Sequence, residues 1–390
     1  MNIGIAAFSF PPERNGVSSV AFAHARGFVS RGHKVIVLTG FIPDRDVQYF
    51  MSEGIEVKQF RVQGRRTYTG EIAEYISALQ ALDVDVLFLH CWQAWTTDLA
   101  LGCLDTNRVR KNAIISHGVS VNEISSFKSI IGWLRWRPYV WGMVDRMKSV
   151  DRVIFLTGLT DRNRLFDSYL AKRAGLQNIA VVPNGGLPPP THIIRGLFRK
   201  EYGIQTELMA LCASNFDRAK GQEMVLEAFE KSKFSQATLV FIGGERNSYC
   251  RRLEYLISKS SCSSRVRVLT NVSRSVLQSA YVDSDIFLLG SRSEVQPLVL
   301  LDGMAAGLPF VSTSVGSVRE MKGGITCASA TTMAQMICLL LESQELRAEL
   351  SSRGQKQVAS HYNWERVIDS YEQLLSDLTR QRDGESKPRD

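Results

Sequence analysis

Ser291-Arg292-Ser293-Glu294-Val295-Gln296-Pro297-Leu298-Val299-Leu300-Leu301-Asp302-Gly303-Met304-Ala305-Ala306-Gly307-Leu308-Pro309 follows directly on the apolar run 286–289 and carries its own punctuation. The polar turn at 291–294 cannot continue a buried strand. Pro297 suits the first turn of a helix, where the missing amide is not needed, and Gly307 suits the position just past the end. The stretch therefore reads as strand, loop and a helix over 298–306, with 310–313 as the next strand. Strand, helix, strand in that order is the unit of a parallel α/β sheet.

Outward from this stretch the same alternation fills the chain. Runs at 209–212, 238–242, 266–269, 286–289 and 310–313 read as one series of strands, with helices at 223–231 and 298–306. An earlier series reads at 3–8, 34–38, 84–89, 113–116, 153–155 and 179–182. Its first helix, 17–31, places Val20, Ala23, Gly27 and Phe28 on one face. No sequence repeat relates the two series, so the expected fold class is α/β with two Rossmann-like domains in tandem. Pro183-Asn184-Gly185-Gly186-Leu187-Pro188-Pro189-Pro190 is too rich in Pro and Gly to continue either element and reads as a linker. The expected domains are 1–185 and 186–362. Val367, Tyr371, Leu374 and Leu375 give 363–378 the period of an amphipathic helix, and 379–390 reads as a charged, disordered tail.

The bulk numbers agree. A chain of 390 residues exceeds what one core usually spans, and 44% hydrophobic with 22% charged residues is an ordinary globular composition. No run approaches the roughly 18 apolar residues of a membrane span. The N-terminus enters a strand with no basic n-region, which points to a cytoplasmic protein. Seven scattered cysteines without CxxC spacing read as reduced thiols, not a metal site. The net charge of +8 is uneven: residues 1–185 hold 22 basic against 16 acidic side chains, and 101–150 hold 8 against 3. A basic face suits nucleic acid, an anionic membrane or a phosphorylated ligand. No nucleic-acid-reading motif accompanies it, and nucleic acid is not expected as a partner.

Four segments carry chemistry. In the opening stretch, Glu294 stands in the pre-helix loop and Asp302 seven intervening residues later. Carboxylates accept hydrogen bonds from vicinal hydroxyls, and a helix N-terminus (Pro297, Leu298, Val299) favours a diphosphate. Taken singly, these are also an ordinary turn Glu and helix Asp. Cys212-Ala213-Ser214-Asn215-Phe216-Asp217-Arg218-Ala219-Lys220-Gly221 follows a strand and concentrates cations in a loop. Ser116-His117-Gly118 follows another; a lone His there is more often structural. Phe10-Pro11-Pro12-Glu13-Arg14-Asn15-Gly16-Val17 joins the first strand to the first helix, and Gly16 tolerates close backbone approach. It lacks GxGxxG, which disfavours a dinucleotide site.

These segments resemble, along nearly the whole chain, the family 4 glycosyltransferases of the GT-B fold. With Met304-Ala305-Ala306-Gly307-Leu308-Pro309 in register, 291–309 looks like the family's E-x7-E motif, with Asp302 in place of the second Glu. The resemblance implies Glu294 on the donor sugar and Asp302 on the nucleotide ribose. The loop 212–221 resembles G-R-x4-K-G, whose Arg and Lys clamp the diphosphate. Lys220 matches, but Asn215 stands at the Arg position, with Arg218 as a candidate substitute. His117 matches a His near the donor sugar, Gly16 the P-x-x-G-G loop, and Gly243 in Phe241-Ile242-Gly243-Gly244-Glu245 a strand-end Gly pair.

The resemblance therefore implies His117, Glu294 and Lys220 as catalytic. It implies Gly16, Asn215, Arg218, Lys220, Gly243, Glu294, Gln296, Pro297, Leu298, Val299 and Asp302 as donor-binding. It implies two domains facing across a cleft and a C-terminal helix crossing back to the first. The implied activity is retaining transfer from a UDP- or GDP-sugar, with no metal and no cofactor, to a saccharide or lipid-linked precursor of a bacterial polysaccharide. A sugar-nucleotide epimerase or a non-catalytic donor-binding member are the alternatives.

One stripe remains. Trp133, Trp136 and Trp141 lie with Tyr139 among Lys128, Arg135, Arg137, Arg146 and Lys148, and Trp133, Trp136, Val140, Met143 and Met147 recur at helical spacing around Pro138. Such a stripe is either core packing or a headgroup interface that would dock the protein on the inner face of a membrane.

Overall fold

The computed structural model describes residues 1–64, 67–104, 108–119, 137–161 and 165–380. The chain forms two compact units, Met1–Pro183 with Trp364–Asp390, and Asn184–Asn363.

The first unit is built on a seven-stranded parallel sheet. From edge to edge its strands are Ile55–Phe60, Lys34–Gly40, Asn2–Ala7, Val86–His90, Lys111–Ser116, Arg152–Phe155 and Ile179–Val181. Ile5 lies between Val37 and Phe88, and all three are fully buried. Central strands covered on both faces read as unbroken apolar runs for that reason. The helix Gly16–Ser30 starts where the Asn15 side chain accepts from the Ser18 amide, and it buries Val20, Ala21, Ala25 and Phe28. Against it lies Trp364–Arg380, which buries Val367, Ile368, Tyr371, Leu374, Leu375 and Leu378. A β-carbon on Gly27 would lie 2.3 Å from the Ile368 side chain, so the contact depends on glycine.

The second unit carries a six-stranded parallel sheet in the order Val266–Thr270, Ala237–Gly243, Leu208–Ala213, Ile286–Leu289, Phe310–Thr313 and Gly324–Cys327. The helix Leu298–Ala305 buries Leu300, Leu301 and Met304, and Gly307 follows with φ of 78°. Four strands are absent from the sequence reading: Ile55–Phe60 and Gly324–Cys327 at edges of the two large sheets, and the short antiparallel pair Val62–Gln63 and Thr69–Gly70.

In the described half of the tryptophan stripe, three positions take the core-packing alternative. Tyr139, Met143 and Met147 are buried in the first unit's core with Leu87, Ile114 and Val153. Those positions are core packing and face no membrane. Pro138 is expected to split the segment into two short helices; instead it lies within a helical turn that ends at Gly142, ahead of the helix Met143–Lys148. Trp141 is 71% exposed, with the Arg137 guanidinium 5.9 Å from its ring centre. Lys128, Trp133, Arg135 and Trp136 lie outside the described residues. No helix among the described residues is long and apolar enough to cross a membrane. All seven cysteines are free thiols.

Candidate active site

In the second sheet, Leu208–Ala213 and Ile286–Leu289 are neighbours, yet the chain leaves them in opposite directions, to Ala237–Gly243 on one side and Phe310–Thr313 on the other. The loops at their carboxyl ends must diverge, which opens a ligand crevice at this point in parallel sheets. Those loops are 214–221 and 290–297, two of the segments singled out above. They meet at Gly221 and Gly290: a β-carbon on Gly221, whose φ is 65°, would lie 1.9 Å from the Gly290 carbonyl oxygen. The Arg292 amide donates to the Ala219 carbonyl at 2.8 Å.

Charge bridges the same loops. Lys220 Nζ donates to Glu294 Oε1 at 2.7 Å, and Ser291 Oγ donates to that oxygen at 2.9 Å. Both partners converge on Oε1, and Oε2 has no partner among the described residues. Arg218 shares a single 3-10 turn with Lys220, fastened by Asp217, whose side chain accepts from the Ala219 amide at 2.7 Å. Asn215 and Arg218 are exposed. Buried Gln222 braces the loop from below, donating to Ser214 Oγ and the Asn215 carbonyl, each at 2.9 Å. A β-carbon on Gly316 would lie 2.2 Å from the Val295 oxygen and 2.4 Å from that of Glu294, so the next loop props Glu294 from behind. Gly243 serves packing: the Phe216 ring occupies the space where its β-carbon would stand.

No described side chain caps the helix Leu298–Ala305. The Leu300 and Leu301 amides reach the Pro297 carbonyl, while those of Leu298 and Val299 lack an acceptor among the described residues. Unpaired amides at a helix start are an anion site.

Two residues read as donor contacts hold the chain itself. Asp302 Oδ1 accepts from the Leu187 amide at 2.8 Å, and the Gln296 side chain, buried, accepts from the Asn184 amide at 2.6 Å. Gly186 lies so close that a β-carbon would sit 2.6 Å from the Leu301 oxygen. Residues 184–187 are thus strapped onto the helix. Burial pushes the Asp302 carboxyl up to about 6, against the pull of the Leu187 amide and Arg274.

The first sheet has the same kind of divergence between Asn2–Ala7 and Val86–His90. Asn15 accepts from the Ser18 amide at 3.0 Å and donates to Ser9 Oγ at 2.7 Å, shaping the loop ahead of Gly16. Beneath it, buried Arg45 donates to the carbonyls of Phe10 (2.9 Å), Pro11 (2.7 Å) and Gly40 (2.6 Å). Sequence reasoning missed this arginine, whose only local signal is its place between Asp44 and Asp46. The His117-Gly118 turn is set by Ser116, which donates to buried Asp167 and accepts from the Gly118 amide at 3.1 Å. His117 Nε2 lies 3.4 Å from Nδ1 of His90, and burial lowers the His117 pKa to about 4. Cys91 and Gln93, just after His90, hold left-handed backbones (φ 71° and 57°) that non-glycine residues keep only under constraint. Part of that constraint is Tyr139, which accepts from the Gln93 amide at 2.9 Å and donates to Asp98 at 2.9 Å. A pocket of about 420 Å³ opens nearby, lined in part by Phe8, Glu13, Phe41, Arg61 and Trp95.

Residues 14–185 match the model of Glycosyltransferase Family 4, and residues 195–357 that of Glycosyl transferases group 1. The chain belongs to the family 4 glycosyltransferases. N-acetyl-alpha-D-glucosaminyl L-malate synthase of Bacillus anthracis is 29% identical over 192 residues, 47% of this chain and 49% of that protein. The match therefore spans about half the length of that curated relative. Sucrose-phosphate synthase from Thermosynechococcus elongatus superposes with a TM-score of 0.80 at 17% identity, covering 97% of this chain and 99% of that one. HepE of Anabaena, in complex with UDP-glucose, gives 0.73 at 15% identity over 97% and 100%. These neighbours share the GT-B fold with this family 4 member. Glu294 and Lys220 come together in the structure; Asp302 and Gln296 are engaged with the segment 184–187.

Proposed function

We propose that the protein is a retaining glycosyltransferase that moves a sugar from a UDP- or GDP-donor to a saccharide or lipid-linked acceptor without a metal ion. The observation that carries this reading is the Lys220–Glu294 pair spanning the divergent loops of the second sheet, beside the uncapped start of the helix Leu298–Ala305. The amides of Leu298 and Val299 hold the diphosphate, and Lys220 and Arg218 neutralise it. Glu294 accepts from a sugar hydroxyl through Oε2 while Lys220 holds Oε1, which fixes the sugar against the phosphates. As the sugar–phosphate bond breaks, negative charge grows on the diphosphate, and cations already in place stabilise that state more than the ground state. The departing phosphate oxygen takes the acceptor hydroxyl proton, so no enzyme nucleophile is needed. Asn215 leaves a family Arg position empty, and Arg218 on the same turn supplies that charge. The UDP-glucose complex of Anabaena HepE supports a nucleotide-sugar donor.

The protein works in the cytoplasm. It docks peripherally on anionic lipid through the surface around Arg137 and exposed Trp141. The test is turnover: with a matched donor and EDTA present, wild type transfers sugar, and Lys220→Ala and Glu294→Gln lose most of that turnover. Wild-type turnover that depends on added manganese or magnesium contradicts the metal-free reading.

A further inference from the structure

We propose that His90 is a positioning residue that sets the tautomer of His117, holding its proton on Nδ1 so that His117 offers a substrate oxygen a hydrogen-bond donor and not a base. His90 closes the central strand Val86–His90 and is wholly buried; His117 follows the neighbouring strand and is half-buried. Their rings lie 5.5 Å apart at 31°, with His117 Nε2 3.4 Å from His90 Nδ1. One proton lies between those nitrogens, and the question is which ring owns it.

The far side of His90 decides. Its Nε2 is buried with no partner. If His117 donated, neutral His90 would carry its proton on Nε2 and bury an N–H with no acceptor. If His90 donates from Nδ1, its Nε2 is a bare lone pair and only acceptor capacity goes unused. Buried, orphaned N–H groups are the rarer of the two. His90 therefore donates, His117 accepts on Nε2, and the His117 proton resides on Nδ1.

The surroundings keep both rings neutral. The titratable groups facing them are His24 from the helix Gly16–Ser30, whose ring is 5.4 Å from His90, and behind it Tyr371 from the C-terminal helix, 4.5 Å from His24. Both His24 nitrogens and the Tyr371 hydroxyl are themselves buried without partners. Burial holds the pKa of His24 at about 3 and that of His90 well below its ordinary value. A neutral His117 with a fixed Nδ1–H suits a sugar hydroxyl or other uncharged oxygen. The tautomer stands on the structure alone; its kinetic consequence rests on the function proposed above.

Two-bond proton–nitrogen correlation spectra of the full-length, 15N-histidine-labelled protein at neutral pH read the tautomer without any ligand. Wild-type His117 is expected to show a protonated Nδ1 and a bare Nε2. His90→Asn, whose amide nitrogen stands where Nδ1 stood, should keep that pattern, and His90→Leu should lose it. Turnover should fall up to about tenfold in His90→Leu, the worth of one neutral hydrogen bond, and recover in His90→Asn. A wild-type His117 protonated on Nε2, or nitrogen shifts unchanged in His90→Leu, overturns the proposal. The expected tautomer together with full turnover in His117→Ala overturns instead the part given to His117 in transfer.

Discussion

Lys220 Nζ stands 2.7 Å from Glu294 Oε1, so one ion pair joins the two loops that diverge from the centre of the second sheet. Neither partner is fully exposed, and each orients the other. Lys220→Ala should lower kcat by roughly two to three orders of magnitude, as expected for loss of one preorganised charged donor, and weaken donor binding as well. Glu294→Gln should keep the fold and lose most turnover. Steady-state kinetics beside a melting curve for each variant checks both, and near-normal kcat in a folded Lys220→Ala contradicts the assignment.

Arg218 and Asn215 test how the clamp copes without the family arginine. If Arg218 supplies the missing charge, Arg218→Ala should cost about as much kcat as Lys220→Ala, and Asn215→Arg should be neutral or better. Near-normal turnover in Arg218→Ala removes the compensation while leaving the fold untouched.

Asp302 makes a prediction about pH. Its carboxyl is held at about 6, above the ordinary 3.8, so the folded chain binds that proton more tightly than the unfolded chain does. The contribution to stability is complete below about pH 4 and is lost as pH rises through 6. Asp302→Asn keeps an acceptor for the Leu187 amide and does not titrate. Its melting temperature should therefore gain on wild type between pH 4 and 7, by an amount equivalent to roughly 3 kcal/mol. A gap that stays constant with pH contradicts a desolvated carboxyl.

Gly221 carries the geometry of the crevice. Alanine there would combine a left-handed backbone with a β-carbon 1.9 Å from the Gly290 oxygen. Strain of this kind costs about 1–3 kcal/mol before any shift of the loops. Gly221→Ala should melt several degrees lower and lose donor affinity; an unchanged melting temperature would mean the two loops do not touch.

Trp141 and Lys148 are exposed, and Arg137 and Arg146 half-exposed, in the described part of the basic, aromatic block. Wild type should co-sediment with anionic vesicles at low salt and release as salt rises, because each basic contact is screened. Trp141→Ala with Arg137→Ala should weaken this binding and leave turnover on a soluble acceptor analogue intact. Indifference to anionic vesicles even at low salt contradicts docking.

What could be read from sequence follows burial. The central strands Leu208–Ala213 and Ile286–Leu289 are covered on both faces and appear as plain apolar runs. Ile55–Phe60 lies at an edge, needs only one apolar face, and spends Glu56 and Lys58 on the other; Gly324–Cys327 is a four-residue edge that opens with glycine. Glu294 and Lys220 are singled out through the resemblance of 291–309 and 212–221 to family motifs, and the structure brings their side chains within 2.7 Å. The strap of Asp302 onto Leu187 joins residues 115 apart, and Arg45 and His90 likewise act on loops remote in sequence. No local pattern encodes such pairs, because they exist only once the sheet has brought its carboxyl ends together.

The second unit is expected to bind a nucleotide diphosphate sugar at the Lys220–Glu294 crevice without metal. The most direct test is a calorimetric titration of UDP- and GDP-sugars, with EDTA present, into wild type and Lys220→Ala. One donor should bind wild type, with a stabilisation of roughly 3 kcal/mol at a hundredfold excess over Kd, and bind Lys220→Ala much more weakly. Equal affinity for both proteins, or no binding by any UDP- or GDP-sugar, contradicts the account.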